Sequence, residues 1–174
     1  SGRRIAAVRR RGKYLLIDLD AGLTLLSHLG MSGRWLFHAA KPARTTLRGV
    51  APGPPGRHVH AVVRFSDGSQ LWFEDPRRFG LLRLARTDRL PHERALAGLG
   101  PDPLSELPSP KRLRDGARGV RANIKSFLLD QRRLAGIGNI YASEILHRAG
   151  VDPRLAAGRL TANEWSAVAR ETPL

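Results

Sequence analysis

Two glycines one residue apart, followed at once by a helical pattern, give the stretch at 134–141 (Leu-Ala-Gly-Ile-Gly-Asn-Ile-Tyr) the clearest chemistry in the chain. Such a corner lets backbone approach closely, and the unpaired N–H groups and positive dipole end of the next helix favour an anion. A plain packing corner between two helices is the alternative reading. No strand precedes the glycines, so the phosphate of a nucleic-acid backbone fits better than a dinucleotide. The helix expected at 122–131 brings Arg121 and Lys125 to this corner, and Arg132 and Arg133 lie in the turn. Two further turns combine apolar and cationic side chains. Met31, the sole methionine, lies between Gly30 and Gly33, where an apolar loop tip could wedge between base pairs or be partly buried. Asp75-Pro76-Arg77-Arg78-Phe79-Gly80 presents Arg77 and Phe79 after a strand, a pair that can replace a missing base by hydrogen bonding and stacking. His58 and His60 share a strand face at spacing two. A metal pair is conceivable there, but no third nitrogen or sulfur ligand is near, so phosphate contact or surface placement is preferred.

Those residues need elements to hold them, and the hydrophobic period changes along the chain. Alternation at 13–19 and 23–29 around Asp20-Ala21-Gly22 predicts a hairpin, and 59–65 with 71–73 around Ser66-Asp67-Gly68-Ser69 predicts a second. A short strand is expected at 81–85 and an exposed Pro/Gly-rich loop at 49–57. Four prolines at 100–110 mark a boundary, beyond which the period becomes helical. Ile124, Phe127 and Leu128 mark one helix face, and Ile140, Ile145, Leu146 and Ala149 mark a second helix that stops at Gly150. Thr161 to Glu164 has capping-box spacing before Trp165, Val168 and Ala169. The expected fold is therefore α+β, with a partial β-sandwich over 1–99, a linker over 100–110 and a helical domain over 111–174.

The 174 residues carry 30 Lys+Arg against 15 Asp+Glu, a formal charge of +15. Only Lys13, Lys41, Lys111 and Lys125 are lysines, so the excess is mostly guanidinium, whose planar fork suits phosphate. That balance favours a polyanionic partner over a neutral small molecule. The cationic residues concentrate at 1–13 and 111–133. Each block alone could be a solvated face; together, flanking the β-to-α boundary, they favour a groove for nucleic acid. With 41% hydrophobic residues in periodic blocks the chain is not a disordered basic tail. No apolar run reaches the roughly 18 residues of a membrane span, so no membrane partner is expected. Cysteine is absent, which removes thiolate catalysis and Cys-ligated zinc from these residues.

Five ordered motifs now carry a resemblance. Arg10-Arg11-Gly12-Lys13-Tyr14-Leu15, His28-Leu29-Gly30-Met31-Ser32-Gly33, Asp75-Pro76-Arg77-Arg78-Phe79-Gly80, Leu99-Gly100-Pro101-Asp102-Pro103-Leu104 and 135–144 occur in the order seen in bacterial formamidopyrimidine-DNA glycosylases. The sequence resembles this family along essentially its whole length. The related endonuclease VIII shares the Gly-x-Gly-Asn corner but not, typically, the other turns in this form. The resemblance implies a β-sandwich and a helix–two-turn–helix domain, acting in base-excision repair by kinking duplex DNA and flipping out an oxidised purine, followed by strand cleavage at the abasic site. It implies that Met31, Arg77 and Phe79 fill the vacated space, Arg77 facing the orphaned cytosine. By the same resemblance Lys13, His28 and Asn139 grip phosphates, Lys13 is linked to β-elimination, and His58 or His60 with Arg121 and Lys125 add backbone contacts. The implied setting is a monomer on nucleoid DNA in the bacterial cytoplasm, its partner a duplex with an oxidised purine or abasic site.

The sequence departs from the family pattern in two ways. The family's nucleophile is an N-terminal proline amine, whose low pKa suits Schiff-base formation, within Pro-Glu-Leu-Pro-Glu; the residues before Lys13 contain no such start. The family's Cys₄ zinc finger is also without counterpart, so zinc is expected in a full-length family member and no cofactor in these 174 residues. The chain thus reads as an internal piece, with no glycosylase or lyase activity expected of it as written. The alternative to an enzyme is a catalytically inactive binder of damaged or bent DNA. An RNA-structure or ribosomal protein would explain the charge but not the Met31 and Arg77/Phe79 turns.

Overall fold

The computed structural model describes residues 2–40 and 54–172. Of the loop expected at 49–57, residues 49–53 lie outside the described residues, and Pro54 to Arg57 are exposed. Seven strands come first: β1 (Ile5–Arg11), β2 (Tyr14–Leu19), β3 (Leu23–His28), β4 (Arg34–His38), β5 (Val59–Arg64), β6 (Gln70–Glu74) and β7 (Leu81–Arg86). Helices α1 (Pro110–Gly116), α2 (Ile124–Leu129), α3 (Asn139–Ala149) and α4 (Ala162–Glu171) follow. One sheet has the order β1-β2-β3-β7, the other β4-β6-β5. By compactness the chain divides into one unit of Ser1–Thr24 with Ala85–Leu174 and another of Leu25–Leu84, the division falling within β3 and β7.

In the first unit, β1 and β2 pair antiparallel with Arg11 opposite Tyr14, leaving Gly12 and Lys13 as a two-residue turn. Gly12 has φ +57, the left-handed value a type II′ hairpin turn needs at its first central position. Strand β1 escaped the sequence reading because six of its seven residues are exposed, so no one-sided apolar alternation marks it. Helix α1 was obscured by Pro110, read as a breaker; it stands at the start of the helix, where its missing N–H costs nothing, after the Ser109 cap.

The helical core is built by the residues whose spacing announced it. Ile124, Phe127 and Leu128 are buried, as are Ile145, Leu146, Trp165 and Val168, and Phe127 meets Trp165 edge-on at 5.3 Å. Ile140 is the exception: it is 76% exposed, because it sits on the opening turn of α3 out of phase with Ala142, Ile145 and Leu146. Helix α3 ends on left-handed Gly150, and α4 opens with the reciprocal Thr161–Glu164 capping box, both as the sequence reading expects.

In the second unit β6 is the central strand, with Trp72 and Phe73 buried. The β5–β6 register shifts between Val59 and Ala61, a bulge at His60. His60 lies at that bulge and is exposed, while His58 precedes β5 and is half-buried. Strand β4 carries no clear alternation in its sequence, so spacing alone does not mark it.

Candidate nucleic-acid interface

Within the first unit the hairpin turn lies against the Gly-x-Gly corner. A side chain added at Gly12 would stand 3.3 Å from Ala135 Cβ, and one at Gly136 would stand 3.4 Å from Gly12 Cα. Added at Gly138, a Cβ would lie 3.6 Å from Lys13 Nζ. Gly138 is the N-cap of α3 and offers no capping side chain, and Asn139, exposed, is its first helical residue. The ammonium of Lys13 and the open amides of α3 therefore share one small region, a cation beside a positive dipole end. Although Lys13 is exposed overall, partial desolvation pushes its amine below the usual lysine range.

Two residues to which local spacing assigns no role fix this geometry. Asp102, in the Pro-rich stretch 100–110, is 3% exposed. Its carboxylate accepts from Gly12 N at 2.8 Å, from Arg10 Nη2 at 2.9 Å and from Leu104 N at 3.2 Å. Burial raises its pKa, but the hydrogen bonds from Arg10, Gly12 and Leu104 outweigh that and hold it below the usual carboxylate range. Arg11 adds a bond to Gly100 O at 2.8 Å. Gln131 clamps the corner itself: its Oε1 accepts from Gly136 N at 2.9 Å, and its Nε2 donates to Leu129 O and Ile137 O at 2.7 and 2.8 Å. A carboxylate among prolines and a Gln two residues past a helix end were the available signals. A cleft of about 260 Å³ opens beside the turn, lined among others by Arg10, Gly12, Asp102, Gly136 and Tyr141.

The second unit carries the other group. Met31 is 71% and Phe79 58% exposed, a costly placement for large apolar side chains. The Arg77 guanidinium lies 4.9 Å from the Phe79 ring centroid, a cation–π contact. Gly30, at φ +62, approaches so closely that a Cβ there would stand 2.6 Å from the Phe79 carbonyl carbon and oxygen. Asp75, 1% exposed, accepts from Ser32 Oγ at 2.6 Å and from Gly80 N at 2.7 Å, and these bonds hold it well ionised.

The histidines occupy supporting positions around these loops. His28 Nδ1 accepts from Gly30 N at 3.0 Å, and His60 Nε2 lies 2.9 Å from Asp75 O. His58 is half-buried, its carbonyl accepting from Asp75 N. Arg121 is exposed ahead of α2, and Lys125, half-buried on α2, lines a second cleft with Ser143 and His147. Arg132 and Arg133 both pair with Asp130, which reduces their share of the free positive charge. Among the described residues no group of three or more His, Asp or Glu gathers to hold a metal, and no helix is long and apolar enough to cross a membrane.

Comparison with solved structures defines the class first. The Lactococcus lactis Fpg in a complex with abasic-site DNA superposes with a TM-score of 0.85 at 28% identity, over 99% of this chain and 59% of that one. The family profiles then match in order: the formamidopyrimidine-DNA glycosylase N-terminal domain over residues 1–82 and the formamidopyrimidine-DNA glycosylase H2TH domain over 99–173. The chain belongs to the formamidopyrimidine-DNA glycosylase family. It is 45% identical over 161 residues to the formamidopyrimidine-DNA glycosylase of Azorhizobium caulinodans, covering 92% of this chain and 55% of the relative. To that of Xanthomonas campestris pv. campestris it is 46% identical over 170 residues, covering 97% and 57%. The chain thus spans little more than half the length of these relatives.

Proposed function

We propose that this chain supplies the DNA grip of a base-excision repair enzyme that removes oxidised purines from duplex DNA and cleaves the strand at the resulting abasic site. The observation that carries the reading is the exposure of Met31 and Phe79 on turns pinned by a buried carboxylate. Apolar side chains held rigidly in water suit insertion into a gap in stacked bases. Arg77 beside Phe79 would hydrogen-bond the base left opposite, while Lys13, Asn139 and the start of α3 take phosphates. His28, His58, His60, Arg121 and Lys125 would add backbone contacts. This reading puts the chain with nucleoid DNA in the bacterial cytoplasm, as a monomer. Zinc in a whole family member would need ligands other than those of this cysteine-free sequence.

The 174-residue polypeptide is expected to bind without cutting, since by resemblance the nucleophile is an amine that Lys13 does not replace. In single-turnover assays with 8-oxoguanine opposite cytosine, no cleavage and no borohydride-trapped complex are expected; a trapped complex would overturn this and assign an amine of these residues as nucleophile.

Binding to an abasic-site duplex should weaken steeply with salt, by about 0.9 unit of log–log slope per phosphate contact. Asn139→Ala is expected to lower affinity for every duplex by a similar factor. Arg77→Ala should mainly abolish the preference for cytosine opposite the gap, a change of about tenfold. Anisotropy titrations with both opposite bases check this, and unchanged affinity and preference in both variants would remove the assigned face.

A further inference from the structure

The Met31 loop and the Arg77–Phe79 turn are distant in sequence, yet one hydroxyl bridges them. Ser32 Oγ donates to Asp75 Oδ1 at 2.6 Å and accepts from Arg77 N at 3.2 Å, so both of its hydrogen-bonding roles are used across the two loops. The other carboxylate oxygen of Asp75 takes Gly80 N at 2.7 Å, beyond Phe79. Asp75 O accepts from Arg78 N at 3.3 Å and lies 2.9 Å from His60 Nε2. Between these anchors Arg78 stands at φ +57, a left-handed backbone that a non-glycine residue holds only when its surroundings impose it.

Burial of a carboxylate is costly unless hydrogen bonds satisfy it. The bonds to the Asp75 carboxylate come from a hydroxyl and a backbone amide rather than from a guanidinium or ammonium, and they run to the two loops, while the Asp75 main chain meets His58 and His60. We propose that Ser32 and Asp75 are positioning residues that weld the two loops into one rigid wedge and thereby set the preference for the base opposite the gap. The proposal rests on the gap-filling reading of Met31, Arg77 and Phe79. Without the weld, Arg77 keeps its charge and its contact with Phe79 but loses its fixed distance from Met31. Affinity then survives through phosphate contacts while discrimination between opposite bases fades.

The test compares Ser32→Ala with Ser27→Ala in the 174-residue chain. Ser27 is also buried in this unit and accepts a side-chain hydrogen bond, from Trp35 Nε1 at 3.0 Å, but takes no part in the bridge. Two readouts are taken: the cytosine-over-adenine preference on abasic-site duplexes, and hydrogen exchange at the Arg77 and Gly80 amides. Ser32→Ala is expected to reduce the preference by about fivefold or more and to speed Arg77 exchange about tenfold. Ser27→Ala should leave both unchanged, whatever it does to the melting temperature. Retention of preference and protection in Ser32→Ala would overturn the proposal, as would equal losses in Ser27→Ala. A wild-type chain with no opposite-base preference would instead defeat the gap-filling reading, and the exchange data would still decide whether the weld exists.

Discussion

Asp102→Ala lowers the thermal midpoint by about 6–12 °C and weakens binding to an abasic-site duplex about tenfold. The expected loss of stability is about 2–4 kcal/mol, because a charged acceptor of three hydrogen bonds disappears and the buried Gly12 N–H is left unpaired. Arg10, whose side chain is 43% exposed, can turn to water, which keeps the loss below that of a fully buried ion pair. The binding loss follows from position: Asp102 holds the turn that aims Lys13 at the start of α3, and a charge-assisted phosphate contact needs that aim. Asp102→Asn keeps an acceptor for Gly12 N and should lose less. Because the native carboxyl is held below its unfolded value near 4, its contribution is present above about pH 4 and is lost as pH falls through the native pKa. Asp18, Asp75 and Asp130, also held low, act in the same direction, so wild-type stability should decline in acid and Asp102→Asn should decline less steeply. Melting curves at pH 3 to 7 measure both effects; a midpoint within about 1 °C of wild type in Asp102→Ala would remove the anchoring role.

The second large effect belongs to Gly30→Ala, expected to cost about 2–4 kcal/mol and to abolish the cytosine preference. Two causes add. A left-handed φ of +62 penalises any L side chain, and the new methyl would meet the Phe79 carbonyl at 2.6 Å, where backbone cannot yield without breaking the Ser32–Asp75 bridge. Gly22→Ala separates the causes, since Gly22 has φ +67 and open space around it. That variant should lose only the conformational part, about 1–2 kcal/mol. Equal losses in the two variants, by denaturant titration, would show that the close approach to Phe79 carries no weight.

Helix positions were legible where the pattern was local. The apolar spacing of Phe127, Leu128, Ile145 and Trp165, the Gly150 stop and the Thr161–Glu164 box each depend on residues within a turn or two. Strand β1 was not legible, because an exposed edge carries no alternation, and helix α1 was not, because proline both breaks and begins helices. The bulge at His60 was not legible either, since a bulge is a property of the pair β5–β6 and not of either strand.

What the sequence by itself determined is the inventory: the cationic excess, the Gly-x-Gly-Asn corner, Met31 and the Arg77–Phe79 turn, and through their order the family. Side-chain type and near-neighbour spacing suffice for that. Tertiary structure alone decided what holds the inventory in place. Asp102 meets the turn before Lys13, and Ser32 meets Asp75 and Arg77, across gaps in sequence that no local rule spans. The physical reason is that a buried carboxylate is tolerable only where folding brings donors to it, and three of those donors, the amides of Gly12, Leu104 and Gly80, carry no residue-type signature to read in advance.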